Sequence, residues 1–175
     1  MLLILPTDTC YWLAWAFTQV DFDAINTLKW RDDTKRLALL IEDFDDMKNY
    51  VMISDEQIQF LKSYPYPWSF LWVRNPNFLI PDWMEASKYE KISLRVAKVC
   101  VSNYELRMKN YEYPLFLTSA NLSGQPESTT LQAAQAVFPG VEGIEGEDCD
   151  QLPSDIFSID ELGNLQYLRR NYWLN

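Results

Sequence analysis

The feature that most constrains the fold is a set of short, wholly apolar runs separated by polar and helical segments. Runs at residues 2–5, 37–41 and 115–117 are too short for stable helices, and their uniform hydrophobicity is typical of strands buried on both faces of a sheet. Residues 70–73 are also strand-like, and residues 92–96 alternate apolar with polar side chains, which predicts a half-exposed strand.

Helical patterns lie between these strands. Asp21 is placed to cap a helix over residues 22–28, and the acidic stretch at residues 42–46 predicts the start of another. Residues 54–62 and 130–137 also have helical character. Near the end of the sequence, residues 156–159 and 165–168 flank a Gly-Asn turn and predict a hairpin. Strands mixed with helices in this way favour an α/β domain built on a mixed sheet.

The size and hydrophobicity of the chain suit one core. With 175 residues, of which 48% are hydrophobic and 15% aromatic, we expect a single domain over residues 1–175. No apolar run approaches the roughly 20 residues that cross a bilayer. Residues 1–5 are apolar but short and without a basic flank, which favours a first strand over a signal peptide. We therefore expect a cytoplasmic protein that makes no contact with membranes.

The residues available for catalysis are restricted. The sequence has no histidine, which excludes imidazole ligands and the Ser-His and Cys-His nucleophile pairs. Cys10, Cys100 and Cys149 are odd in number and far apart, so they predict neither a disulfide framework nor a zinc site. Catalysis would have to depend on positioning and electrostatics, or on lysine, carboxylate and hydroxyl groups.

The net charge of −10 argues against direct, non-specific binding of nucleic acid. The charge is uneven, however. Residues 142–161 hold eight acids and no Lys or Arg, so the remaining residues carry only −2. A local basic groove is therefore compatible with the acidic total.

The most distinctive polar segment follows the strand at residues 115–117. It reads Thr-Ser-Ala-Asn-Leu-Ser-Gly over residues 118–124, and at the end of a strand its short hydroxyl and amide groups suit ribose and phosphate oxygens. An ordinary turn explains the same residues about equally well, because Ser and Asn favour turns through local hydrogen bonds.

Other candidate groups are weaker when each is taken alone. Lys29, Arg31 and Lys35 could converge on a triphosphate, although a solvated charge cluster offset by neighbouring acids explains them more simply. Thr9 lies in the polar run after the first strand, where hydroxyls serve either a ligand or a turn. Arg95 sits in mid-strand and needs an anionic partner if it is buried, either a ligand or an Asp or Glu.

The order of these segments resembles the YrdC-like family of threonylcarbamoyl-AMP synthases. Pro-Thr-Asp-Thr-x-Tyr is followed by Lys-x-Arg, Pro-x-Pro-x-Ser-Phe, Arg-Val and Thr-Ser-Ala-Asn-x-Ser-Gly, and then by Pro-Ser and a late Arg. The resemblance covers nearly the whole chain, and Ser-Ala-Asn-x-Ser-Gly is its specific element. It implies a YrdC-like fold, a twisted mixed sheet with flanking helices and an open ligand groove. Only five residues precede Pro6, which indicates an N-terminally short member.

The resemblance also implies an activity. ATP, L-threonine and bicarbonate would become threonylcarbamoyl-AMP and pyrophosphate, with Mg²⁺ on the triphosphate. The product would pass to a separate tRNA threonylcarbamoyl transferase machinery for tRNA modification. Lys29 and Arg31 would be the catalytic cations. The other implied residues would hold the phosphates, nucleotide and amino acid, and they are Thr9, Lys35, Ser69, Arg95, Ser119, Asn121, Ser154 and Arg169.

The sequence departs from the family pattern at several positions. Trp12 and Tyr66 stand where the family has glycine, and Arg36 and Asn171 also differ. Bulky rings in place of glycine predict a narrowed pocket. Two readings besides a working enzyme therefore stay open: a homologue that binds a nucleotide or protein without catalysis, and an RNA-binding module. Similar carbamoyl-adenylate chemistry in hydrogenase maturation belongs to a much larger protein.

Overall fold

The computed structural model describes residues 2–29, 38–101, 112–147, 149, 152–160, 162 and 164–172. Within these ranges, nine strands form one mixed sheet in the order β7-β1-β2-β6-β3-β5-β4-β8-β9. The strands are β1 Leu2–Pro6, β2 Tyr11–Ala16, β3 Ala38–Ile41, β4 Trp68–Val73, β5 Lys91–Val96, β6 Leu115–Ser119, β7 Glu142–Gly143, β8 Asp155–Ile159 and β9 Leu165–Arg169. The predicted fold class, an α/β fold on a mixed sheet, is confirmed.

The helices of the described ranges are short. They are α1 Gln19–Leu28, α2 Met47–Tyr50, α3 Asp55–Ser63, α4 Ala97–Cys100 and α5 Leu131–Val137, with 3-10 segments at Phe44–Asp46 and Ala86–Tyr89. None of the helices in the described ranges has the length and apolar character needed to cross a bilayer.

The sequence patterns locate most of these elements, with differences at the helix starts. Thr18, rather than Asp21, caps α1, and its hydroxyl accepts a hydrogen bond from the Asp21 amide. Asp21 instead lies in the first turn, where its negative charge interacts favourably with the positive end of the helix dipole. Within the acidic run at residues 42–46, Phe44–Asp46 form a 3-10 segment before α2, and the Asp43 carboxylate caps it by accepting a hydrogen bond from the Phe44 amide.

The strand predicted as half-exposed, residues 92–96, is an interior strand. β5 pairs in parallel with β3 and antiparallel with β4, so both its edges are covered. Arg95, one of the polar residues in its alternating pattern, is itself buried. The hairpin of β8 and β9 is antiparallel, as predicted.

Two apolar clusters cover the two faces of the sheet. The larger cluster includes Ile25 of α1, Met47 of α2, Ile58 of α3 and Ala134 of α5. A smaller cluster joins Leu40, Leu115 and Leu117 of the sheet to Ala97 and Cys100 of α4. Because side chains alternate along a strand, residues that follow members of the large cluster point toward the α4 face. Arg95 and Ser69, which adjoin Leu94 and Phe70, lie on that face.

Candidate active site

The loop that follows β6 is organised around the side chain of Asn121. Its Oδ1 accepts a hydrogen bond of 2.7 Å from the Ser119 hydroxyl, and its Nδ2 donates one of 2.6 Å to the carbonyl of Gln125. Gly124 adopts a φ of +82°, in the left-handed region that a glycine enters without steric cost. These hydrogen bonds within the loop therefore fix the Ser119 hydroxyl and the Asn121 side-chain amide at the end of a buried strand.

Lys29 joins this loop from the other side. It is the C-cap residue of α1 and is only 5% exposed. Its Nζ donates to Thr118 Oγ1 at 3.2 Å, to the Ser119 carbonyl at 2.6 Å and to Asn121 Oδ1 at 3.3 Å. The buried ammonium thus donates hydrogen bonds to three oxygens of the loop, and the interpretation of Lys29 as part of a solvated charge cluster is wrong.

Space adjoins this loop on its far side. A cavity of about 350 Å³ is lined by the polar residues Asn121, Gln125, Ser128 and Thr129, by the acidic Glu127, and by neighbouring apolar side chains. The Ser128 hydroxyl bonds the carbonyl of Ala120, which fixes the loop against the following segment. Polar groups held rigidly at the mouth of a cavity are suited to a small polar ligand.

Arg95 forms a second charged centre on the α4 face. Its guanidinium is fully buried and pairs through Nη2 with Asp8 Oδ1. Burial works to lower the pKa of Arg95, but the Asp8 carboxylate beside it outweighs this and raises the pKa above its ordinary value, so the group stays charged. Its Nε and Nη1 have no hydrogen-bond partner within the described part of the chain. A buried charge with two unused donors is costly, and an anion bound there would satisfy them.

The loop at residues 7–10 holds Asp8 beside Arg95. The Asp8 amide donates to the carbonyl of Cys100 at 2.7 Å, and Thr7 Oγ1 donates to the carbonyl of Cys10 at 2.8 Å. Cys149 Sγ lies 3.4 Å from the Thr7 carbonyl. The three cysteines, distant in sequence, therefore all contact this loop or belong to it, and each is a buried thiol rather than half of a disulfide.

Trp12 lies between the two charged centres. On β2 it is the Cα partner of Ser119, whose hydroxyl bonds Asn121. Its indole centroid is 5.1 Å from the Arg95 guanidinium carbon, and its Nε1 donates to Thr9 Oγ1 at 3.4 Å. A guanidinium at this distance is attracted to the ring face. Trp12 itself is only partly buried.

A third group of predicted residues surrounds Ser154. The Ser69 and Ser154 hydroxyls are 3.1 Å apart, and Arg169 donates from Nε to the Ser154 carbonyl at 2.9 Å and from Nη2 to its hydroxyl at 3.3 Å. Ser69 directly precedes Phe70, and Arg95 directly follows Leu94, the β5 residue paired with Phe70. This register puts the Ser154 group beside Arg95.

The segment after β9 approaches the same region. The buried Asp155 carboxylate accepts from the backbone amides of Asn171 and Tyr172, at 2.6 and 3.2 Å. The ring of Tyr172 stacks on Tyr66 with centroids 4.9 Å apart. Burial raises the pKa of Tyr172, and the charges of Asp8 and Asp155 add to this, whereas the charge of Arg95 acts to lower it.

Most of the predicted site residues are therefore brought together. Lys29 meets Ser119 and Asn121, Thr9 is linked to Arg95 through Trp12, and Ser69, Ser154 and Arg169 form the neighbouring group. Arg31 and Lys35 lie outside the described residues. Sequence reasoning assigned no ligand contact to Asp8, Trp12 or Thr118, although it expected Trp12 to narrow the pocket. A signal for Asp8 was available, because a mid-strand arginine requires an acid and the polar run after β1 supplies one.

A family model labelled Sua5/YciO/YrdC and described as "Telomere recombination" matches residues 1–171. The chain belongs to this family. A curated relative named threonylcarbamoyl-AMP synthase, from Klebsiella pneumoniae, is 32% identical over 140 residues, which are 74% of this chain and 68% of the relative.

Solved structures of the Sua5/YciO/YrdC family share the fold. P. abyssi Sua5 complexed with L-threonine has a TM-score of 0.75 and 21% identity, covering 96% of this chain and 49% of that one. E. coli YciO has a TM-score of 0.73 and 19% identity, covering 96% of this chain and 82% of that one. This chain therefore spans about half the length of the Sua5 chain and most of the YciO chain.

Proposed function

We propose that this chain is a threonylcarbamoyl-AMP synthase, which converts ATP, L-threonine and bicarbonate to threonylcarbamoyl-AMP and pyrophosphate. The observation that carries the proposal is the contact of the buried Lys29 ammonium with Ser119 and Asn121, next to a second centre at Arg95. The name of the Klebsiella relative supports the reaction, and the threonine complex of Sua5 supports the amino acid.

The Lys29 centre would hold the nucleotide. Ser119 and Asn121 offer hydroxyl and amide groups to the ribose and phosphates, and Ser154 would assist from β8. Lys29 would neutralise phosphate charge, either directly or by ordering the loop that contacts the phosphates. Arg31 and Lys35 are proposed as further phosphate ligands, since Arg suits bidentate contacts and Lys supplies a point charge.

The Arg95 centre would hold the amino acid. The two unused guanidinium donors suit a carboxylate, which both threonine and its carbamate carry. The hydroxyls of Thr9 and Ser69 lie near this guanidinium and would bond polar groups of the same substrate. Arg169, bonded to Ser154, would support the neighbouring wall.

The chemistry would proceed by positioning and charge neutralisation. The threonine amine takes up the carbon of bicarbonate and releases water to give a carbamate. A carbamate oxygen then attacks the α-phosphorus of ATP, a new C–O–P linkage forms, the bond to the β-phosphate oxygen breaks, and pyrophosphate leaves. Aligning these reactants and neutralising the departing charge needs no imidazole, which matches a sequence without histidine.

Mg²⁺ would enter with ATP as part of the substrate. The described residues contain no group of three His, Cys, Asp or Glu side chains placed to hold a metal ion. Mg²⁺ commonly keeps several waters and is bound largely through substrate phosphates, which suits such a site. The metal's contribution would be to neutralise charge on the leaving pyrophosphate.

A second candidate function is binding of a nucleotide without turnover. The observation that favours it is the position of Trp12, whose indole covers part of the Arg95 centre.

In a working synthase the product would pass in the cytoplasm to a separate tRNA-modifying transferase. Direct RNA binding is not proposed, because the net charge is −10.

One assay separates the candidates. The protein is incubated with MgATP, bicarbonate and each amino acid in turn while pyrophosphate is measured. A synthase releases pyrophosphate only when threonine and bicarbonate are both present. Calorimetric binding of ATP without pyrophosphate release would select the binding function. If the protein neither releases pyrophosphate nor binds ATP, both candidates are overturned.

A further inference from the structure

A cavity that the proposed reaction does not use lies between α1 and the segment that precedes β5. Its volume is about 500 Å³, and none of the described residues assigned to the reaction lines it. The aromatic residues that line it, Phe22, Trp83 and Tyr89, pack against the large apolar cluster. Arg95 lies on the opposite face of the sheet, toward α4, so this cavity is separate from the Arg95 centre.

One wall of the cavity is the indole of Trp83. Its ring packs against those of Phe22, Phe17 and Phe116, with centroids 5.4, 6.0 and 6.3 Å away. Trp83 is nevertheless only partly buried, and its indole N–H has no hydrogen-bond partner within the described part of the chain. The packing therefore holds a large aromatic ring at the cavity with an unused donor.

A second wall is a polar side of α1. Asp23, Asn26 and Thr27 line the cavity at i, i+3 and i+4, positions that share one face of a helix. The Thr27 hydroxyl donates to the Asp23 carbonyl at 2.9 Å. The Asp23 carboxylate and the Asn26 amide make no hydrogen bond or ion pair among the described residues. This wall therefore presents a free negative charge and a free amide.

The charge of the cavity is negative. Two acids, Asp23 and Glu85, and one base, Lys88, line it. Glu85 and Lys88 pair with each other at 2.9 Å, so the charge of Asp23 is left uncompensated. Asp82, exposed just before the lining segment, adds a carboxylate for which the described ranges supply no ion pair. An aromatic cavity with excess negative charge favours a cationic ligand.

We propose that this cavity binds the side chain of an arginine residue in a partner protein. A guanidinium can stack on the Trp83 ring while it donates two parallel hydrogen bonds to a carboxylate, here that of Asp23. The amide oxygen of Asn26 is a further acceptor for its remaining N–H groups. The ammonium of a lysine is more strongly hydrated and has no flat face, so it would bind less well.

A residue within a protein chain suits the cavity better than free arginine. The free amino acid carries a carboxylate, which Asp82 and Glu85 would repel. A residue in a chain has neutral peptide groups at that place, and the unused indole N–H of Trp83 can donate to one of their carbonyls. The proposal does not depend on the synthase activity, since it uses none of the residues assigned to that activity.

The test follows the Trp83 indole N–H by NMR in the ¹⁵N-labelled chain, with its signal assigned from Trp83→Phe. Four probes are titrated: N-acetylarginine amide, N-acetyllysine amide, N-acetylcitrulline amide and free L-arginine. Citrulline has nearly the shape of arginine without its charge. Asp23→Asn removes the free charge of the cavity, and Asp45→Asn makes the same change at an exposed residue outside it.

We expect N-acetylarginine amide to shift the Trp83 signal with a Kd at least about threefold below those of the other three probes. Asp23→Asn should raise that Kd about three- to tenfold, whereas Asp45→Asn should leave it within about twofold of wild type. Circular dichroism establishes that each variant is folded. If Asp23→Asn does not fold, Asp23→Lys replaces it, and its ammonium should abolish the shift by repelling the guanidinium.

Several outcomes would overturn the proposal. They are a Trp83 signal that moves with no probe, equal affinity for the arginine and citrulline amides, and an unchanged Kd in a folded Asp23 variant. Binding of free L-arginine as tight as that of the amide would overturn the assignment to a protein partner. Unchanged probe binding by Asn121→Asp would support a site separate from the nucleotide centre, and a loss of probe binding there would overturn it.

Discussion

The Nζ atom of Lys29 lies 2.6 Å from the carbonyl oxygen of Ser119, although 90 residues separate them in the chain. This contact joins the end of α1 to the loop after β6. The Lys29 ammonium and the Ser119 hydroxyl therefore both donate hydrogen bonds to the side-chain oxygen of Asn121.

Replacement of Lys29 by Met should weaken both the loop and its ligand binding. The substitution removes the charge and three hydrogen bonds to loop oxygens, and a hydrogen bond to a charged group contributes about 1.5–3 kcal/mol. We expect the kcat/KM for ATP to fall at least about a hundredfold, roughly the loss of two charge-assisted hydrogen bonds. Lys62→Met, on the exposed face of α3, is the matched control. Equal rates in the two variants would contradict the assignment.

Replacement of Asn121 by Asp tests the nucleotide centre with almost no change in shape. The variant loses the amide donor to the Gln125 carbonyl and brings a negative charge toward the proposed phosphates. Like charges at such a contact cost several kcal/mol, so ATP should bind about a hundredfold more weakly by calorimetry. Asn77→Asp makes the same change in charge at an exposed position and should bind ATP normally. Unaltered ATP binding by the Asn121 variant would place the nucleotide elsewhere.

Replacement of Arg95 by Lys should separate the two halves of the site. Lysine keeps the positive charge near Asp8 but lacks the planar donors Nε and Nη1. We expect the KM for threonine to rise at least about tenfold, as when a charge-assisted hydrogen bond is lost, while the calorimetric Kd for ATP stays within about twofold. A matching loss of affinity for both substrates would show that Arg95 supports the whole fold rather than the amino-acid half.

Asp155 should be important for stability. Its Oδ2 accepts from the Tyr64 hydroxyl at 2.5 Å, and its Oδ1 accepts from two backbone amides of the segment after β9. Burial raises the pKa of Tyr64, and the bond to Asp155 adds to this, so the phenol remains a donor. We expect Asp155→Ala to lower the free energy of unfolding in urea by about 3 kcal/mol and Tyr64→Phe by about 1 kcal/mol. Equal losses would contradict the assignment of Asp155 as the shared acceptor.

Local sequence patterns predicted the elements whose signals are local. Residues 115–117 and 37–41 are uniformly apolar, and β6 and β3 form there, within a residue or two. Ser54 and Gln57 provide a capping box, and α3 begins immediately after Ser54. The strand β2 was missed because most of its residues are buried, so its sequence does not alternate between apolar and polar side chains.

The site was predicted in part. The order of the motifs along the chain pointed to four site residues, Lys29, Ser119, Asn121 and Arg95. Polar residues next to apolar runs are easy to recognise in a sequence. The burial of Lys29 and the packing of Trp12 on Arg95 could not be predicted in this way. Both depend on which strands become neighbours, and the order β2-β6-β3-β5 joins segments that are distant in sequence. Single-residue patterns carry no information about such long-range pairing.

The most direct test is to identify the product. The protein is incubated with MgATP, L-threonine and ¹³C-bicarbonate, and the nucleotides are analysed by mass spectrometry. The proposal predicts threonylcarbamoyl-AMP that carries the ¹³C label, in amounts equal to the pyrophosphate released, and greatly reduced in Asn121→Asp. Release of unlabelled AMP or ADP alone, or ATP left unchanged by a folded protein that binds it, would contradict the proposal.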